Sequence, residues 1–293
     1  MFQGTFTALV TPFANDQFDE PAFERLIETQ IAAGITGIVP VGTTGESPTL
    51  DHTEHLRVIE VAVQIAKGRC KVIAGTGSNA TSEAVALTVE AQKLGADAAL
   101  VVAPYYNKPS QEGLFLHYKA IADAASLPII LYSIPGRCGI EISVDTCVRL
   151  AAACKNIVAI KEAGGSVERV SPLRAALPTS FDILSGDDSL TLPFISVGAV
   201  GVVSVASNIA PGPVSQLVNA ALAGDFAEAR RVHFEYYALF KDLFIEPNPV
   251  PAKHALALAG LMQPDVRLPL CGLTAASAAQ IEATLRKLRL IPS

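Results

Sequence analysis

The run Ile157-Val158-Ala159-Ile160-Lys161 is apolar up to its last residue, and Glu162, Ala163 and the pair Gly164-Gly165 follow it. Four apolar residues bounded by polar ones read as a strand buried on both faces, and a lysine at the end of such a strand is costly to bury. Lysine is also the common cation whose pKa falls readily on desolvation, which turns an ammonium into a nucleophilic amine. To be neutral near pH 7, that amine needs its pKa lowered from about 10.4 to about 7, a shift worth roughly 4 to 5 kcal/mol. Burial supplies such a shift, and Arg137 would add charge repulsion. On this run alone the plainer reading stays open: a lysine that leaves the strand and snorkels to water.

The elements around Lys161 decide between the two. Strand patterns at 5–11, 37–41, 72–74, 98–102, 129–132, 157–161, 182–184 and 201–205 alternate with helical patterns at 21–33, 52–67, 81–94, 111–125, 144–153, 167–177, 189–197 and 214–223. That is eight strand-helix units, with strands that are continuous apolar runs. A (β/α)8 TIM barrel over residues 1–224 fits best. A doubly wound open sheet is the alternative, but no G-x-G-x-x-G follows the first strand. Beyond residue 224 the strands stop and three helical patterns follow, at 226–244, 252–261 and 275–288, so residues 225–293 are expected to form a C-terminal three-helix extension.

In a barrel, the residues at the C-terminal ends of the strands form one mouth. Here those ends are Gly42-Thr43-Thr44-Gly45-Glu46-Ser47, Pro104-Tyr105-Tyr106-Asn107, Tyr132-Ser133-Ile134-Pro135-Gly136-Arg137, Lys161, and Ser185-Gly186-Asp187-Asp188. They hold no His-carboxylate trio, which argues against a metal-dependent aldolase or hydrolase, and no Ser-His-Asp set. An amine among phenols and hydroxyls suits Schiff-base chemistry on a carbonyl compound, with no metal or cofactor. Each residue has a plainer reading taken singly: Tyr132 in the core, Thr43 and Thr44 capping a helix, Arg137 paired with Glu141 on the surface. Taken together, consecutive polar loops on one face favour a site.

Composition bounds the partners. The net charge of −6, with no block of Lys or Arg, argues against nucleic acid or an anionic membrane. Charged residues are only 17% of the 293, against a usual share of about 25%, so some surface is expected to be covered by further copies of the chain. Cys70, Cys138, Cys147, Cys154 and Cys271 form no CxxC pair and are odd in number, which favours reduced thiols. With neither a basic n-region nor a cleavage site at Met1-Phe2-Gln3-Gly4, a cytoplasmic protein is expected. Residues 189–224 carry no charge, but Pro193, Gly198, Gly201, Pro211, Gly212 and Pro213 cut them too short to span a membrane.

Three motifs, Gly42-Thr43-Thr44-Gly45-Glu46, Tyr132-x-x-Pro135-x-Arg137 and Ile160-Lys161-Glu162-Ala163, closely resemble the signatures of the dihydrodipicolinate synthase family, within the pyruvate-dependent class I aldolases. The resemblance runs from Gly4 through Leu273, in the family's order and approximate spacing. It implies condensation of pyruvate with L-aspartate 4-semialdehyde through a lysine Schiff base, a step toward diaminopimelate and lysine. On that resemblance Lys161 forms the imine and Tyr132 passes protons to and from it. Thr43 and Tyr106 complete a hydroxyl relay, with Tyr106 supplied across a subunit interface of a homotetramer built as a dimer of dimers. Thr44 holds the pyruvate carboxylate, Gly186 and the Val203 carbonyl line its pocket, and Arg137 takes the carboxylate of the semialdehyde. A lysine feedback site is implied at Ser47, His52, His55, Asn79, Glu83 and Tyr105; on residue types alone, His52 and His55 read equally well as polar residues of a helix start.

Ser133 and Cys138 depart from the family, which commonly has Asn and Thr there. Two rivals remain at this point. One is a sialic acid (N-acetylneuraminate) or keto-deoxy-sugar lyase of the same superfamily; the other is a non-catalytic barrel that senses a small molecule. Arg137 and Thr44 favour the synthase over the first, because a carboxylate on the second substrate needs a cation. Lys161 together with Tyr132 and Thr43 argues against the second.

Overall fold

The computed structural model describes residues 1–292. β1 (Gly4–Ala8) leads through a two-stranded hairpin, β2 (Phe13–Ala14) and β3 (Gln17–Phe18), into α1 (Glu20–Ala32). β4 (Gly37–Val39) is followed by α2 (His52–Ala66), β5 (Lys71–Gly75) by α3 (Thr81–Leu94), and β6 (Ala98–Val102) by α4 (Gln111–Ala124). β7 (Ile129–Ser133) leads into a short α5 (Pro135–Cys138) and then α6 (Val144–Ala153). β8 (Ile157–Glu162) precedes α7 (Val170–Ala176), β9 (Asp182–Ser185) precedes α8 (Thr191–Ser196), and β10 (Gly201–Ser204) precedes α9 (Pro211–Leu222). Three helices follow: α10 (Phe226–Asp242), α11 (Val250–Leu258) and α12 (Ala275–Lys287).

All the strands but the hairpin pair in parallel and close into a TIM barrel, in the order β1-β10-β9-β8-β7-β6-β5-β4. Side-chain carboxylates and hydroxyls at Asp19, Asp51, Ser110, Ser143, Asp225 and Thr274 cap the helix starts by accepting a backbone N–H three residues on, so these boundaries are written locally. One apolar core runs through the barrel and under the helices, and α10 packs on both α9 and α12.

The expected elements are present, with corrected ends. β1 stops at Ala8 rather than at residue 11, and the chain then turns into the hairpin, which sequence patterning did not anticipate. The helix expected from residue 189 starts at Thr191, after a single tight turn at Asp188–Leu190. The one expected over 252–261 starts at Val250 with Pro251 in its first turn, where its missing N–H costs nothing, and ends at Leu258. The uncharged stretch is divided among α8, β10 and α9, and among the described residues no helix is long and apolar enough to cross a membrane.

Candidate active site

Parallel register places Tyr132 of β7 directly beside Lys161 of β8, and Lys161 beside Leu184 of β9. Side chains alternate along a strand, so Lys161 faces the barrel interior while Glu162 points outward. Glu162 is fully buried there and is held by Arg169, which also pairs with Glu141 at 3.1 Å. Glu141 is therefore not the partner of Arg137, and the surface pairing considered for that arginine does not form.

Lys161 is 6% exposed, and its Nζ rests 4.1 Å from the centroid of the Tyr132 ring. Burial lowers its pKa from 10.5 to about 7; Asp188 pulls it back up, and Arg137 pushes it further down. The snorkelling alternative is thereby excluded. Burial likewise pushes the Tyr132 phenol up to about 12, against the Thr43 hydroxyl beside it, which lowers it. Near neutral pH the pair is thus an amine with an accessible neutral form next to a protonated phenol, which is the combination a proton-shuttling imine former requires.

Gly186, just past β9, packs on the lysine itself. A Cβ there would stand 3.0 Å from Lys161 Cε and 2.5 Å from Ala163 Cβ, so only glycine lets the backbone come this close. Val203 is buried on β10, one residue before Ser204, whose hydroxyl donates to the Asp188 carboxylate. The same carboxylate accepts from the Val205 and Ala206 N–H groups, both at 3.0 Å, and burial raises its pKa to about 6. Asp188 was visible in the sequence as part of a strand end but had no assigned role; it fixes the turn after Val203 and is the charge that opposes the burial of Lys161.

A cavity of about 220 Å³ opens at this mouth, lined among others by Thr43, Tyr132, Ile134, Arg137 and Cys138. Burial pushes the Cys138 thiol up to about 11, so it is a passive wall residue. Ser133 is buried, and its hydroxyl accepts from the Ile142 N–H at 3.4 Å. Thr44 lies just off the cavity, buried, and its hydroxyl accepts from Asn248 Nδ2 at 3.0 Å. Arg137 is exposed at the rim, and its Nη2 donates to the Asn248 carbonyl at 3.4 Å. Asn248 thus reaches two site residues from the loop before α11. Nothing in its surrounding sequence marks it, because the contact spans more than a hundred residues.

Tyr106 is not brought to Lys161 within one chain. It is 89% exposed, and its backbone is left-handed at φ 73°, unusual for an aromatic residue. Its neighbour Tyr105 lines the cavity beside Tyr132 and also another of about 130 Å³, whose wall includes Ser47, His52, His55 and Glu83. Glu83 is gripped there by the Ser78 hydroxyl and by His52 Nε2, and these, Ser78 first, hold its pKa down. His55 is buried and bonded to the Gly75 carbonyl at 2.8 Å, and desolvation lowers its pKa. Asn79 does not line this cavity; its carbonyl accepts from Asn107 Nδ2 at 2.8 Å.

Comparison with known proteins shows the family. A family model described as "Dihydrodipicolinate synthetase family" matches residues 1–288. A 4-hydroxy-tetrahydrodipicolinate synthase of Aquifex aeolicus is 51% identical over 290 residues, covering 99% of both chains. The solved structure of the corresponding enzyme from Methylacidiphilum fumariolicum SolV is 58% identical and superposes with a TM-score of 0.98, over 99% of this chain and 96% of that one. A structure from Cyanidioschyzon merolae, solved with lysine bound, is 43% identical with a TM-score of 0.96, over 99% of each chain.

Proposed function

The chain belongs to the dihydrodipicolinate synthetase family, and on that premise we propose how its site residues perform the family's reaction. The enzyme is a lyase that condenses pyruvate with L-aspartate 4-semialdehyde to 4-hydroxy-tetrahydrodipicolinate, in amino-acid biosynthesis toward diaminopimelate and lysine. The observation that carries the assignment of roles is the desolvated Lys161 amine, seated against the Tyr132 ring at the C-terminal mouth of the barrel.

The neutral Lys161 amine adds to the ketone of pyruvate, and loss of water gives the imine. Tyr132 and Thr43 carry the protons of that step, since a hydroxyl both donates and accepts. Loss of a methyl proton gives an enamine whose carbon attacks the aldehyde of the second substrate. The amino group of that substrate then displaces Lys161 as the ring closes, freeing the lysine. Thr44, Gly186 and the Val203 carbonyl surround pyruvate, and Arg137 at the rim pairs with the carboxylate of the semialdehyde.

Tyr106 completes the hydroxyl relay from a neighbouring subunit, in a homotetramer assembled as a dimer of dimers. Its exposure supports this reading, because a relay phenol on a surface acts only when another copy covers it. The small cavity at Ser47, His52, His55, Glu83 and Tyr105, with Asn79 nearby, is a lysine feedback site: a carboxylate and hydrogen-bonding side chains suit an amino acid with a second ammonium. The five free cysteines support a cytoplasmic location. The test is turnover of pyruvate with L-aspartate 4-semialdehyde by the purified protein. Activity instead on N-acetylneuraminate or a keto-deoxy sugar would reassign the second substrate, and inertness toward every one of these would leave a sensing barrel.

A further inference from the structure

The turn that presents Thr43 and Thr44 runs from Val41 to Glu46, and both ends lie in the left-handed backbone region, Val41 at φ 50° and Glu46 at φ 53°. Such conformations are costly for non-glycine residues, most of all for a β-branched valine, and persist only where the surroundings fix them. Within the turn the fold is already tight: a Cβ on Gly45 would stand 2.9 Å from Val41 Cα, and the Thr11 hydroxyl donates to the Gly45 carbonyl at 2.7 Å. The remaining anchors come from far along the chain. Asn248 Nδ2 donates to the Thr44 hydroxyl at 3.0 Å, Glu46 Oε2 accepts the Arg267 N–H at 3.1 Å, and Glu46 Oε1 pairs with Nζ of Lys253 on α11.

Both members of that ion pair are essentially inaccessible to water, at 0% and 1% side-chain exposure. The Lys253 ammonium also donates to the Asp265 carbonyl at 2.9 Å and sits 4.0 Å over the Phe13 ring, whose centroid is 4.1 Å from the Arg267 guanidinium. Burying two charges stabilises a protein no better than an apolar pair of equal volume, so stability does not account for this arrangement. An ion pair does differ from apolar packing in fixing a direction of pull on one carboxylate. That carboxylate belongs to the residue closing the catalytic turn.

We propose that the buried Glu46–Lys253 ion pair is a positioning pair for the reaction, pinning the 41–46 turn to the C-terminal helices so that Thr43 stays beside Tyr132 and Thr44 stays at the barrel mouth. The C-terminal helices are then part of the catalytic apparatus. This rests on the synthase reading above, which wild-type turnover establishes separately, so a failed pin and a failed function are distinguishable. Lys253→Met alone strands a buried carboxylate and risks unfolding. The informative variant is the double Glu46→Gln/Lys253→Met, which keeps volume and removes both charges. With that one pin removed, kcat is expected to fall about 10- to 100-fold, the range that a displacement of about 1 Å produces. KM for pyruvate should rise while KM for the semialdehyde stays within about twofold, since Arg137 is not held by this pair; Lys253→Arg should recover most of the kcat. Asp182→Ala serves as the destabilised control, because Asp182 binds the N-terminal ammonium and the Phe2 N–H at the opposite end of β9. A folded double variant with kcat and pyruvate KM near wild type overturns the proposal. So does an Asp182→Ala variant of equal thermal stability that shows the same kinetic losses.

Discussion

Replacing Asp188 by Asn probes the electrostatic balance at Lys161 without touching the nucleophile. An ordinary lysine with a pKa of 10.5 is neutral at pH 7 only about 3 times in 10,000, whereas one at about 7 is neutral half the time, a gain of order 10³ in reactive amine. Asp188 works against that gain, since its charge raises the Lys161 pKa. Asn keeps an oxygen for the Val205 and Ala206 N–H groups but removes the charge, so the Lys161 pKa should drop further, by on the order of 1 unit. The rate of imine formation at saturating pyruvate follows the neutral fraction, rising with pH and levelling off above the pKa. In the wild type that rise should centre near pH 7. In Asp188→Asn it should centre about 1 unit lower, making the variant roughly twofold faster at pH 6, where the wild-type Asp188 is already about half protonated. Because Asp188 itself takes up a proton at about 6, the two profiles should converge in more acid solution. Stopped-flow measurement of imine formation against pH gives both curves. A variant whose rise stays put, or moves to higher pH, refutes the electrostatic account.

The other expectations concern the substrate, the interface and the regulator. Arg137→Ala should raise KM for the semialdehyde about 10- to 100-fold, as loss of a charged hydrogen-bonding partner does, and steady-state kinetics with pyruvate held saturating should show it; an unchanged KM would remove Arg137 from recognition. Tyr106→Phe should lower kcat about 10- to 100-fold. Oligomers mixed from impaired Tyr106→Phe and inactive Lys161→Ala chains should be more active than either alone, each copy supplying what the other lacks; failure to complement would place Tyr106 in its own chain's site. Glu83→Gln should abolish inhibition by millimolar lysine, and inhibition at the wild-type concentration would contradict the assignment of that cavity.

Lys161 was legible because one residue breaks an otherwise apolar strand at its C-terminal end, and a barrel gives that end a meaning. The register that sets Tyr132 beside it was not legible, since strand pairing depends on closure of the whole sheet. Asn248, Lys253 and Arg267 were hidden for a related reason: each meets the Thr44–Glu46 turn from more than two hundred residues away, and helix periodicity reports which face is buried but not against what. The hairpin had a local signal. Asn15 and Asp16 both take left-handed conformations at φ 51° and 62°, and Asn and Asp are the residue types that favour such a turn, but strands of two residues show no alternation to notice.

The central claim is that Lys161 is the nucleophile. Incubation with pyruvate followed by borohydride reduction, proteolysis and mass spectrometry tests it in a single experiment. The peptide containing Lys161 should carry one reduced pyruvyl group, and Lys161→Ala should carry none anywhere in the chain. A variant that is still labelled on another lysine, or a wild type labelled elsewhere than Lys161, would contradict the account.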